Sequence, residues 1–288
     1  VIELADGGVD TVLLSVDQYT LGQNIENVQI LSTGKTSLTG NALDNRIDAG
    51  AGDNVIDGAA GMDIVSYANA TAGVVLDLAL STIQATGGSG NDTLLNIENL
   101  EGSQFADMLR GNNQANTLHG EADNDWLLGF EGDDVLSGGD GDDTLEGGFG
   151  NDIYLFGRGD DSDRIAENDA TPGNTDIVRF GTAIVTNQLW FSREQDDLKV
   201  TIIGTYDYLV ISDWYLGPQY RVEKFQTTAG AILLANQVEA LVQAMAELTP
   251  PDIDQKLLPS SLTAVLKPVL DANWQSGPPP ANVNDGDD

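Results

Sequence analysis

The chain has no cysteine, a single histidine (His119), and only 12 Lys plus Arg against 46 Asp plus Glu, a formal net charge of −34. Each shortage removes a class of chemistry. Without cysteine there is no disulfide framework, thiol metal site or Cys–His dyad. One histidine rules out HExxH zinc sites, and no GxSxG turn is present to hold a serine nucleophile. His119 reads as a surface residue and not a base, and the chain is not read as an enzyme. Phosphate contacts need a basic footprint that is missing, so nucleic acid is not a partner. No run of 18 apolar residues occurs, so no transmembrane helix is expected. The first residues, VIELADGGVD, lack a basic segment and an apolar core. No signal peptide is visible there, and the expectation is a piece of a longer protein.

Glycine (33 residues) and acid are plentiful, and both recur on a fixed period. From Gly102 to about Gly159 the chain reads GSQFADMLR, GNNQANTLH, GEADNDWLL, GFEGDDVLS, GGDGDDTLE and GGFGNDIYL. The sixth position holds Asp107, Asn116, Asp125, Asp134, Asp143 and Asp152; the eighth holds Leu109, Leu118, Leu127, Leu136, Leu145 and Tyr154. The later copies follow G-G-x-G-x-D-x-U-x, with U a large apolar residue, a pattern that builds calcium-binding parallel β-rolls. The physical reason is a division of labour. A sharp turn needs glycine where φ is positive, and its carbonyls plus the Asp carboxylate suit a hard cation with six to eight oxygen ligands. The apolar residue two positions on points inward, because side chains alternate along a strand. Such short strands bury little, so metal binding must supply much of the folding free energy.

A weaker block precedes this one: GNALDNRID, AGAGDNVID and GAAGMDIVS, with Asn45, Asn54 and Asp63 at position six. Asn carries no charge, so those loops should bind calcium weakly or not at all. Gly40 and Gly102 are not separated by a multiple of nine, so the blocks are out of register. An isolated copy, GGSGNDTLL, carries Asp92. At the far end GRGDDSDRI breaks the spacing, with Asp161 in frame and Asp163 two residues late.

The expected fold is all-β: a parallel β-roll in two blocks with a C-terminal β-rich capping domain carrying a short helix. Residues 1–39 read as leading cap strands, 40–66 as the first block, and 67–101 as inserted strands projecting from the roll. Residues 102–164 form the main roll and 165–173 a polar linker. Residues 174–248 read as the cap, with a helix over Ala235–Leu248. The Pro-rich tail, 249–288, reads as mobile, with LTAVLKPVL as a patch able to dock.

The repeats resemble those of the RTX (repeats-in-toxin) family, also called haemolysin-type calcium-binding repeats, over about 40–66 and 87–163. Residues 174–245 resemble the haemolysin-type calcium-binding-related domain. The resemblance implies Ca2+ ligands at Asp63, Asp92, Asp107, Asp125, Asp134, Asp143 and Asp152, and Asp161 is added on its frame. It implies turn glycines near the ion at Gly132, Gly141 and Gly150, where three other copies have Phe105, Gln114 and Asp123. It also implies a secreted bacterial protein, exported by type I secretion machinery and folded by calcium outside the cell. Core packing is the default reading of the downstream aromatics; the alternative is an adhesive or carbohydrate-binding module, with Trp214 and Tyr215 as a face for polysaccharide.

Overall fold

The structure is a computed structural model and describes residues 7–280. Its strands stack as the coils of a flattened roll. One face is a twelve-stranded sheet that starts at Thr11–Leu14 and passes through Asn27–Ile30, Arg46–Asp48, Ile64–Ser66, Asn99–Glu101, Thr117–Ala122, Val135–Asp140, Ile153–Phe156 and Ile177–Phe180 into the C-terminal region. The other face is divided into a five-stranded sheet and an eight-stranded sheet.

Position eight sets the register. Leu118 pairs with Leu136 and Leu136 with Tyr154 on one face. Leu109 pairs with Leu127 and Leu127 with Leu145 on the other. All six are fully buried. Two facing apolar columns therefore line the interior of the main roll. The strands are three to six residues long, so each contributes one such side chain, worth about 1.5–3 kcal/mol on burial.

The inserted residues do not project. Strand Gly90–Leu95 pairs parallel with Asn54–Asp57, placing Leu94 on Ile56. Strand Asn99–Glu101 lies between Ile64–Ser66 and Thr117–Ala122, placing Leu100 between Val65 and Leu118. The two blocks are thus one stack, in which a single coil spans 35 residues where the main roll uses 18. The reason is burial: Leu76, Leu94 and Leu100 occupy position-eight places in the core and would be exposed on a projecting hairpin.

Past the repeats, Ile177–Phe180 adds a further coil, and antiparallel strands close the end: Leu189–Glu194, Asp197–Ile202 and Tyr208–Ile211 on one face, Lys224–Thr227 and Ala231–Leu234 on the other. Helix α1, Ala235–Ala246, buries Val238, Leu241, Val242 and Met245, the apolar stripe read from the sequence. The tail is ordered where a mobile segment was expected, and its LTAVLKPVL patch docks. It forms a second helix, α2, Ser260–Asn273, which buries Leu266 and Leu270, and a short strand, Gln275–Ser276, on the sheet edge. Neither helix is long and apolar enough to cross a membrane. Residues 1–6 of the leading strands and 281–288 of the tail lie outside the described residues.

Candidate metal centres

The roll places the position-six side chains in two ladders, one along each edge. In each, a carboxylate Oδ1 accepts the backbone N–H of the position-six residue one coil earlier. Asp107 donates to Asp125 at 2.7 Å, Asp125 to Asp143 at 2.7 Å, Asn116 to Asp134 at 2.7 Å and Asp134 to Asp152 at 2.9 Å. Asp143 donates to Asp163 at 3.1 Å and Asp152 to Asp176 at 2.9 Å.

The other oxygen divides the loops into two kinds. Oδ2 of Asp63, Asp125, Asp134, Asp143, Asp152 and Asp163 is buried without a hydrogen-bond partner. No Lys or Arg among the described residues forms an ion pair with these six. Burial pushes Asp63 and Asp152 up to about 6, Asp134 to about 7 and Asp125 to about 8. Asp143 and Asp163 are raised as well, chiefly by burial. A buried carboxylate oxygen with neither donor nor counter-charge is destabilising by several kcal/mol. A hard divalent cation supplies both charge and coordination, so these residues fit calcium.

In the remaining loops the protein fills the same place with its own donors. Tyr67 Oη donates to Asp92 Oδ2 at 2.9 Å. The backbone N–H of Ser103 donates to Asp107 Oδ2, and Ser103 Oγ to Asp107 Oδ1 at 2.8 Å. Where Asn stands at position six, its amide N–H groups point at loop carbonyls a cation would otherwise collect. Asn45 Nδ2 donates to Ile25, Asn54 Nδ2 to Gly50 and Gly52, and Asn116 Nδ2 to Glu98.

In eight of the loops the kind follows the backbone at position two. Ala59, Glu121, Phe130, Gly139 and Gly148 all have positive φ, and their loops end in the bare carboxylates of Asp63, Asp125, Asp134, Asp143 and Asp152. Asn41, Ser103 and Asn112 have no such φ, and there the position-two N–H caps the position-six side chain. Ala59, Glu121 and Phe130 hold a conformation disfavoured by about 1–2 kcal/mol for a residue with a Cβ.

Gly132, Gly141 and Gly150 have φ of 126°, 150° and 142°. A Cβ at any of them would overlap the carbonyl of the loop one coil earlier. Without that glycine, Gln114 N–H bonds Asn112 Oδ1 at 2.8 Å and Phe105 N–H bonds Ser103 Oγ at 3.2 Å, closing the turn by side chain.

Several residues lie where the sequence did not put them. Asp161 is exposed, and its ladder place is taken by Asp163, because the two extra residues of GRGDDSDRI are absorbed in the turn. Glu98, Asp176 and Glu223 extend the other ladder: Asp63 N–H bonds Glu98 Oε2 at 2.9 Å, and Asp176 N–H bonds Glu223 Oε2 at 2.8 Å. Their signal was an acid two residues before a buried apolar one, in ENL, DIV and EKF, without the glycines. His119 is buried and not at the surface. Trp214, by contrast, is core as the default reading has it, 2 % exposed, with Phe225 at 5.9 Å and the Arg221 guanidinium 5.5 Å from its ring centre. Tyr215 is half-buried beneath Arg193, so the pair makes no sugar-binding face.

Among known proteins, the RTX calcium-binding nonapeptide repeat family matches in four copies over residues 33–68, 101–129 and 128–163. The haemolysin-type calcium binding protein related domain matches residues 197–237. Among solved structures, the crystal structure of extracellular lipase LipA from Serratia marcescens is similar at 15% identity over 65% of this chain, with a TM-score of 0.21. The match covers 38% of that lipase. The chain carries calcium-binding RTX nonapeptide repeats, followed by a haemolysin-type calcium binding protein related domain.

Proposed function

We propose that this chain is a calcium-triggered folding module of a larger bacterial protein exported by type I secretion, folding once it reaches the outside of the cell. The observation that supports this reading is the set of six buried, partnerless carboxylate oxygens along the two ladders. A chain in this state is unstable without an ion in its loops and stable with one.

The magnitudes make a usable switch. Extracellular calcium modules bind at about 10⁻⁴–10⁻³ M. At about 1 mM calcium and a dissociation constant of about 10⁻⁴ M, each site adds about 1.4 kcal/mol, or about 8 kcal/mol for six independent sites. That equals the whole stability of a typical domain. At micromolar calcium the contribution vanishes, and glycine content and acid repulsion keep the chain extended for export. The absence of cysteine suits passage through a narrow channel.

Circular dichroism of the purified chain tests this, first in excess chelator and then titrated to millimolar calcium. The strand signal should rise cooperatively with calcium. Full strand content in chelator would remove the switch.

A further inference from the structure

We propose a cation site that extends the last nonapeptide loop beyond the repeat pattern, built where the roll meets its cap from the position-six Asp152 together with Glu167 and Asp176. It deepens the calcium reading above and rests on it. Each of the three offers an oxygen, all within 4.8 Å of one another, and all three side chains are buried. Glu167 comes from the segment that joins the last repeat to the next coil, where the sequence shows only a polar linker.

Most of these oxygens are held. Asp176 Oδ1 accepts the Asp152 N–H, and its Oδ2 accepts Asn174 Nδ2 at 3.0 Å. Glu167 Oε1 accepts the Asn168 N–H at 3.0 Å, and its Oε2 accepts the Tyr154 hydroxyl at 2.7 Å. Asp152 Oδ2 has no partner, and Asp152 is 0% exposed. It faces the space left by Gly147, where a Cβ would overlap Oδ2 and lie 2.6 Å from the Tyr154 hydroxyl. The bare oxygen therefore opens onto the group that carries Glu167. No Lys or Arg forms an ion pair with any of the three among the described residues. Three buried carboxylates around one unfilled oxygen, with no cationic side chain, form an all-oxygen, strongly anionic site for a hard divalent cation, calcium first.

Tyr154 is the positioning residue. It stands at position eight, where the other five copies of the main block have leucine. Its buried hydroxyl accepts the Gly147 N–H at 2.9 Å and turns Glu167 inward. Asp176 in turn donates its N–H to Glu223 of the cap. One ion at this point binds together the last repeat, the connecting segment and the first coil of the cap.

Calcium binding by the full chain, measured by equilibrium dialysis and calorimetry, tests the site with Glu167→Gln. The expected result is one fewer ion per chain, or one class of site weakened at least about tenfold. Unchanged stoichiometry and affinity would overturn this site while leaving the calcium reading intact; a wild-type chain that binds no calcium would overturn both. Tyr154→Phe gives a second test that survives poor folding of the first variant. Terbium(III) titrated into the wild type should show tyrosine-sensitised emission that falls by half or more in Tyr154→Phe. Equal emission from the two chains would also overturn the site.

Discussion

The hydroxyl of Tyr67 donates to Asp92 Oδ2 at 2.9 Å and fills with a proton the position that stands bare beside Asp125, Asp134, Asp143 and Asp152. The same ladder geometry is thus completed by internal donors at Asp92 and Asp107 and left open to a cation at Asp63 and in the later loops. Tyr67→Phe exposes the difference. In chelator it should destabilise the chain by about 1–3 kcal/mol, because a buried oxygen loses its donor. Calcium should recover part of that loss, read as a smaller difference in urea midpoint at millimolar calcium. Equal losses in both conditions would mean that no ion can take the hydroxyl's place.

Asn116→Asp removes an N–H donor and sets a carboxylate oxygen against the Glu98 carbonyl. Two oxygens facing each other with no proton between them need a cation. The variant should unfold about 1–3 kcal/mol more easily in chelator. Its stability should also depend more steeply on calcium concentration than that of the wild type, measured by denaturant melts across a calcium series.

Gly150→Ala places a methyl group into the Gly132 carbonyl at a φ of 142°. A loss of at least about 3 kcal/mol is expected, from strain and overlap together. Gly34→Ala is the control: its nearest neighbour would be Ser32 Oγ at 3.7 Å, and it should change stability by no more than about 0.5 kcal/mol. Thermal melts in calcium compare the two.

The pH dependence of the metal-free chain follows from its carboxylates. In the fold they are raised from an ordinary value near 4 to about 6 for Asp63 and Asp152, about 7 for Asp134 and about 8 for Asp125 and Asp176, all chiefly by burial. A raised carboxylate binds more protons folded than unfolded, so its contribution is present below about pH 4 and is lost as pH rises through 6 to 8. The calcium-free chain should therefore be more folded at pH 5 than at pH 8, by circular dichroism. Calcium affinity should move the opposite way, weakening as pH falls. A metal-free strand signal that grows on going from pH 5 to 8 would contradict the ladder geometry.

The repeat register was legible because two columns, the acids and the core residues, had to agree at one spacing. Leu127 beneath Asp125 and Leu145 beneath Asp143 could hardly be read otherwise. What the sequence concealed lay where both columns persisted without the glycines that mark the repeat. Glu98–Leu100, Asp176–Val178 and Glu223–Phe225 keep acid and core but lack the glycines, because their turns are longer and close on side chains. Asp163 was displaced from its frame by two residues that the turn absorbs. The distinction between Asp107 and Asp125 was not visible in their letters at all. It depends on the sign of φ at Ser103 and Glu121, a backbone choice that neither residue type dictates. Trp214 lies in the core, the default reading for the downstream aromatics, and only the alternative of a sugar-binding face needed it at the surface.

The twelve-stranded face passes beneath the irregular coil without interruption, while the opposite face changes sheets there and is joined across the gap by the isolated Val74–Gly87 bridge. Such a rod is stiff on one side and jointed on the other. Any flexing under tension concentrates at that seam and opens toward the jointed side, so the main roll beyond it transmits a pull as one rigid lever.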